Sequence, residues 1–254
     1  MRGKCLFGPI WSRRLGSSLG INLTPYKTCN LDCVYCECGL TTVLTVRRKE
    51  YIPPEEVIEN LARYRESLRF REVPPSYLTF AGFGEPTLNS GLGKIVRFIK
   101  GHFPHSQVAL ITNGTLFGYY PELFTEIEGV DLVIPSLDAG RETAFEGINR
   151  PHPSLDFERY VQGLVRLKDH FRGEIWLEVF IVEGLNDTSQ EIEALKDRIN
   201  RIAPHRVHIN SVDRSPAEEW VRAPSRERLQ QIARALKGDI IVSSPGCVLS
   251  SLHP

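Results

Sequence analysis

Six short runs rich in Val, Ile and Leu, each bounded by Gly, Pro, Asn or Asp, alternate with helix-like segments along this 254-residue chain. The runs cover 19–25, 76–82, 107–114, 130–138, 175–184 and 206–212. The helical patterns begin with "PPEEVIENLARYRESL" and end with "SRERLQQIARALKG". Alternation of this kind predicts parallel βαβ units, because a parallel pair needs a long crossover and a helix supplies it. A complete eight-fold barrel takes about 250 residues, and here 1–18 and 239–254 fall outside the repeat. The expected fold class is α/β: one domain with an extension (1–18), a core of six βα units closing part of a barrel (19–238) and a tail (239–254). A doubly wound open sheet is the rival that the pattern leaves standing. In either case chemistry belongs at the carboxyl ends of the strands.

Lys plus Arg and Asp plus Glu number 31 each. No global field therefore draws the chain to nucleic acid or to a membrane surface. No stretch approaches the ~20 apolar residues of a membrane helix. In "MRGKCLFGPIWSRRLG" the apolar patch is broken by Gly8-Pro9, and Arg13-Arg14 follow it, which is not the layout of a signal peptide. The expected location is the cytoplasm, where clustered cysteines hold metal or do redox chemistry more often than they form disulfides.

Four of the six cysteines lie in "TCNLDCVYCEC", just after the first predicted strand. Cys29, Cys33 and Cys36 are spaced C-x3-C-x2-C. Three thiolates on one short loop can bind three irons of a cubane and leave the fourth open. Zinc is the competing reading, with Cys38 as its fourth ligand, although structural zinc usually draws ligand pairs from separate segments. A bare cysteine-rich loop would be exposed to oxidation.

With Tyr35 placed before Cys36, the stretch resembles the signature of the radical S-adenosylmethionine superfamily. The resemblance implies a [4Fe–4S] cluster on Cys29, Cys33 and Cys36 whose open iron is chelated by S-adenosylmethionine. It also implies one-electron cleavage of that cofactor to methionine and a 5′-deoxyadenosyl radical, which takes hydrogen from a substrate. "AGFGEPTL" resembles the family's Gly-Gly-Glu motif, which holds the methionyl amino group, although Phe83 separates Gly82 from Gly84. Tyr35, Gly82, Gly84, Glu85, Asn113 of "TNG", Ser136 and Asp138 of "PSLDAG", and Glu178 are the implied cofactor contacts.

Plainer roles stand beside these. The glycines let backbone approach closely, Glu85 starts a helix, Asn113 makes a turn and Asp138 caps the next helix. Glu178, on one strand face with Trp176 and Phe180, needs an ion-pair partner if it faces the interior. Arg13, Arg14, His208 and Asn210 are candidate substrate contacts, and Arg47, Arg48 and Lys49 also flank the cysteine loop.

"SLDAGRETAFEGINRPH" is similar to the corresponding region of the molybdenum-cofactor first-step enzymes and the wybutosine tricycle-forming enzymes. The start of the chain is similar to a wybutosine-like group of bacterial and archaeal radical enzymes. An oxidoreductase or transferase-type enzyme with an electron donor such as flavodoxin or ferredoxin is implied. The neutral charge puts a small molecule or peptide substrate ahead of tRNA. A glycyl-radical-enzyme activase is an alternative within the class; an electron carrier and a zinc-stabilised module are alternatives outside it. A second cluster on Cys5, Cys38 and Cys247 is not expected, because Cys38 lies too close to Cys36 to reach away from the first.

Overall fold

The structure, a computed structural model, describes residues 5–12, 14–67, 70 and 72–241. Its strands are β1 (Leu6–Ser12), β2 (Gly16–Ile21), β3 (Thr28–Cys29), β4 (Val43–Leu44), β5 (Tyr77–Phe80), β6 (Gln107–Thr112), β7 (Leu132–Pro135), β8 (Glu174–Ile181), β9 (Arg206–Ser211) and β10 (Asp239–Ile240). Its helices are α1 (Pro54–Glu66), α2 (Leu92–His102), α3 (Glu122–Glu126), α4 (Glu142–Asn149), α5 (Phe157–His170), α6 (Ser189–Ile202) and α7 (Arg226–Leu236).

Eight strands form one sheet in the order β1-β2-β5-β6-β7-β8-β9-β10. Only β1–β2 is antiparallel; each later neighbour is parallel. A doubly wound sheet reverses its strand order at a switch point. This one never reverses, so the winding is that of a barrel. Among the described residues the sheet stays open, with β1 and β10 as its edges.

The six predicted runs correspond to β2 and β5–β9. The sheet also recruits both segments set outside the repeat: Leu6–Ser12 at one edge and Asp239–Ile240 at the other. Gly8-Pro9 reads as a break in sequence, yet proline is tolerated on an edge strand or at a bulge. The β1–β2 register indeed shifts between Phe7 and Ile10.

Alternation along the strands sorts the core into two layers. Leu78, Leu110, Val133, Leu177 and Ile209 belong to the larger apolar cluster, together with Leu61 of α1, Ile95 of α2, Leu164 of α5 and Leu195 of α6. A smaller cluster unites Leu15, Ala109, Leu132 and Ile134, with Tyr77, Ile111 and Trp176 against it. Leu15 sits in the turn of the β1–β2 hairpin, before the amino end of β2. The hairpin turn therefore packs with the inner strand residues, and the carboxyl ends are left for the site.

Candidate active site

The cysteine loop is tied down at several points. Thr28 and Cys29 pair in parallel with Val43 and Leu44. Val34 N donates to Ile148 O of α4 (2.9 Å), and Cys36 N donates to Cys33 O (3.1 Å). Each motif sulfur then faces a nitrogen donor. Lys27 Nζ lies 3.1 Å from Cys36 Sγ, Asn149 Nδ2 3.4 Å from Cys33 Sγ and Asn113 Nδ2 3.7 Å from Cys29 Sγ.

Electrostatics separate the three thiols. Burial, with Glu85 nearby, pushes Cys29 up to about 12, and burial, with Asp138 nearby, pushes Cys33 well above the ordinary thiol range. Cys36 is pulled down to about 5, first by the Cys38 thiol beside it and then, against burial, by Lys27. Metal coordination deprotonates a thiol outright, whatever its pKa in the free protein. Among the described residues no three His, Cys, Asp or Glu side chains gather around a single ion. A cubane sets a different requirement, because each thiolate takes its own iron. The donor set and its N–H partners fit such a cluster.

Of the other cysteines, Cys38 Sγ lies 3.9 Å from Gly82 O. Cys5 is buried in the apolar core, where burial raises its thiol. Cys247, like Arg13, lies outside the described residues.

The loop after β5 is sewn to the cysteine loop. Lys27 N donates to Phe83 O (2.8 Å) and Glu85 N to Thr28 O (3.1 Å). A Cβ on Gly84 would stand 2.0 Å from Thr28 O, and one on Gly82, at φ +139°, would stand 2.3 Å from Asn22 Oδ1. The missing Cβ atoms thus let the loop after β5 pack against Thr28 and Asn22. Glu85 caps the 3₁₀ turn Pro86–Leu88, as its plain reading has it. Its Oε1 accepts from Thr87 N (3.0 Å), Thr87 Oγ1 (2.5 Å) and Thr112 Oγ1 (2.6 Å), and its Oε2 from Asn113 N (2.8 Å). Burial raises this carboxyl, partly offset by those bonds. Oε2 keeps a lone pair for another donor. Asn113 is held in turn: its Nδ2 donates to Asn30 Oδ1 (2.5 Å) and its Oδ1 accepts from Thr115 Oγ1 (2.8 Å).

Asp138 is a strut. It accepts from Tyr35 OH (2.5 Å), Asn149 Nδ2 (2.7 Å) and Phe180 N (2.9 Å). Tyr35 also stacks on Phe180, with centroids 3.9 Å apart. Asp138 does not cap α4, whose N-cap residue is Arg141 with no side-chain cap; Glu191 of α6 accepts from the preceding Gly140 N and from Arg141 N. Ser136 N donates to Thr112 O (3.1 Å), and its residue bridges to Glu178.

On the concave face, Glu178 forms an ion pair with Arg14 from the hairpin turn. His208 is the register partner of Glu178, and Asn210 follows it on the same face, half-buried. Two of the basic residues flanking the cysteine loop are already engaged. Arg48 is engaged by Glu126 (2.5 Å), Glu122 (3.2 Å) and Thr87 O (2.8 Å), and Lys49 lies over the Tyr51 ring. Lys27, Asn30 and Asn149 were not singled out by the sequence. The only hint was a charge placed two residues before Cys29.

His208 is 4% exposed, sits edge-on to Trp176, and has a buried Nδ1 without a hydrogen-bond partner among the described residues. Burial, then Arg14, lowers its pKa to about 4. The unfolded imidazole, near 6.5, takes up a proton before the folded one does. Stability should therefore fall as pH drops from 6.5 towards 4, by roughly 2–3 kcal/mol from this group. Denaturant melts should show that loss in the parent and a clearly smaller one in His208→Phe. An equal acid loss in both would contradict the assignment.

Residues 23–199 match the family model for the radical SAM superfamily. The chain belongs to that superfamily. A UPF0026 protein of Methanocaldococcus jannaschii is 33% identical over 226 residues, covering 89% of this chain and 69% of that protein. A Brachyspira hyodysenteriae protein named GTPase Obg is 37% identical over 231 residues; these are 91% of this chain but only 33% of that protein's length. The yeast S-adenosyl-L-methionine-dependent tRNA 4-demethylwyosine synthase is 26% identical over 221 residues, 80% of this chain and 26% of that enzyme.

Among solved structures, a radical SAM methyltransferase from Sphaerobacter thermophilus aligns with a TM-score of 0.70 at 17% identity, covering 92% of this chain and 68% of that one. Streptococcus suis SuiB bound to S-adenosylmethionine aligns at 0.61 and 12%, covering 91% and 51%. These likenesses bear out the partial-barrel fold. Superfamily members are enzymes that use a [4Fe–4S] cluster and S-adenosylmethionine. No helix among the described residues is long and apolar enough to cross a membrane.

Proposed function

We propose that this chain is a radical S-adenosylmethionine enzyme whose cluster is held by Cys29, Cys33 and Cys36. When bound, cluster and cofactor together supply reductive cleavage to methionine and a hydrogen-abstracting 5′-deoxyadenosyl radical. The observation that carries this reading is the set of three thiols, each facing an N–H donor, with Glu85 buried behind them at the carboxyl ends of β5 and β6. Asn113 and Glu85 are locked together beside Cys29, and Glu85 Oε2, with a lone pair left, would accept from the methionyl ammonium. Asp138, through Tyr35 and Asn149, holds the far side of the loop.

The substrate wall is the concave face: Ser136, Glu178, His208 and Asn210. Arg14 on this wall is neutralised by Glu178, and Arg48 is spent on α3. A compact polar molecule or a peptide suits such a wall better than a polyanion does. Tight polyanion binding would need several phosphate-neutralising cations. The second reading, tRNA base modification, has in its favour the similarity to the yeast synthase. A cytoplasmic setting and a flavodoxin- or ferredoxin-like electron donor complete the proposal.

The test is anaerobic incubation with reductant, S-adenosylmethionine and fractionated cell extract, following 5′-deoxyadenosine. Stimulation by the small-molecule or peptide fraction is expected. Stimulation by the tRNA fraction that ribonuclease abolishes would reverse the order.

A further inference from the structure

Lys27 combines two unfavourable features. It is 3% exposed, and its φ of +52° lies in the left-handed region that few side chains other than Asn and Asp adopt. A buried ammonium is costly unless something of opposite charge balances it. Among the described residues no carboxylate pairs with Lys27; its ammonium donates to Cys36 Sγ at 3.1 Å. A neutral thiol is a weak acceptor. A metal-bound thiolate is anionic at all times and balances the charge.

The placement is fixed from both sides. Lys27 N donates to Phe83 O (2.8 Å), and Lys27 O accepts from Thr42 N and Val43 N (3.1 Å each). The strained backbone is thus clamped between the loop after β5 and the segment entering β4. The other two sulfurs face neutral amides, Asn149 and Asn113. One full charge therefore stands against one ligand only.

We infer that Lys27, acting through the Cys36 thiolate, raises the reduction potential of the [4Fe–4S] cluster. The inference rests on the cluster reading above. Reduction by a low-potential one-electron donor adds one negative charge to the cluster and leaves every bond in place. A fixed positive charge at one ligand stabilises the reduced state more than the oxidised one. Hydrogen bonding and charge at the sulfurs are the protein's means of setting such a potential.

The test is a redox titration followed by electron paramagnetic resonance of the reduced cluster in the parent, Lys27→Met and Lys27→Arg. Iron and sulfide are measured on each preparation. All three should carry a full cluster. At the poise that half-reduces the parent, the ratio of reduced to oxidised cluster should fall at least tenfold in Lys27→Met, about 59 mV for a one-electron couple. Lys27→Arg should stay within about threefold of the parent.

A full cluster in Lys27→Met with a ratio within twofold of the parent would overturn the inference. So would an equal fall in the arginine variant, since packing would then be the cause. Should Lys27→Met not take up a cluster, Lys27→Gln carries the same comparison. Absence of iron and sulfide from the parent would instead remove the cluster reading itself, and that outcome is visible before any titration.

Discussion

Cys33→Ala, reconstituted anaerobically, is expected to hold far less than the about four irons per chain of a cubane and to form no 5′-deoxyadenosine above background. Cys33 is enclosed by the loop, by Asn149 and by the Asp138 strut, so no other thiol among the described residues stands ready at the same iron. Cys38 is no substitute: its sulfur faces Gly82 O at 3.9 Å, beside Cys36. The effect should be all-or-none, unlike that of a residue that only orients the cofactor. Cleavage at the parent rate by Cys33→Ala would remove this residue from the ligand set.

Asp138→Ala should give the largest stability loss near the site, about 3–5 kcal/mol. The carboxylate satisfies Asn149 Nδ2 and Phe180 N, both buried, and the part-buried Tyr35 OH. Each stranded donor costs about 1–3 kcal/mol. Part of that sum is returned, because burial itself disfavours the charged carboxylate and raises its pKa. The loss should appear in urea melts of protein without cluster, before any cofactor enters. Asp138→Asn keeps one acceptor oxygen and should lose less. A loss below about 1 kcal/mol for Asp138→Ala would mean that the strut is not a strut.

The cysteine motif was legible because its information is local: three ligands lie within eight positions, from Cys29 to Cys36. The parallel barrel was legible because strand and helix periods alternate, and the order of pairing then follows the chain. What the sequence hid depends on distant partners. Asp138 reads as a cap for the helix that follows it. Its real partner Tyr35 lies 103 positions away, and the entry to that helix is held by Glu191, 51 positions from Gly140. Glu178 could be read as needing an ion pair, but Arg14, 164 positions away, could not be picked out as the partner. Lys27 looks like any loop lysine until its left-handed backbone turns the ammonium onto Cys36. The edge strand Leu6–Ser12 was hidden by Gly8-Pro9, since a local rule against proline in strands does not apply at a sheet's edge.

The most direct test of the central claim is the product made by anaerobically reconstituted, reduced protein supplied with S-adenosylmethionine. Iron and sulfide are expected in about equal numbers, about four each. 5′-Deoxyadenosine should form only when Cys29, Cys33 and Cys36 are all present. Bound zinc without sulfide, together with intact S-adenosylmethionine after reduction, would contradict the claim.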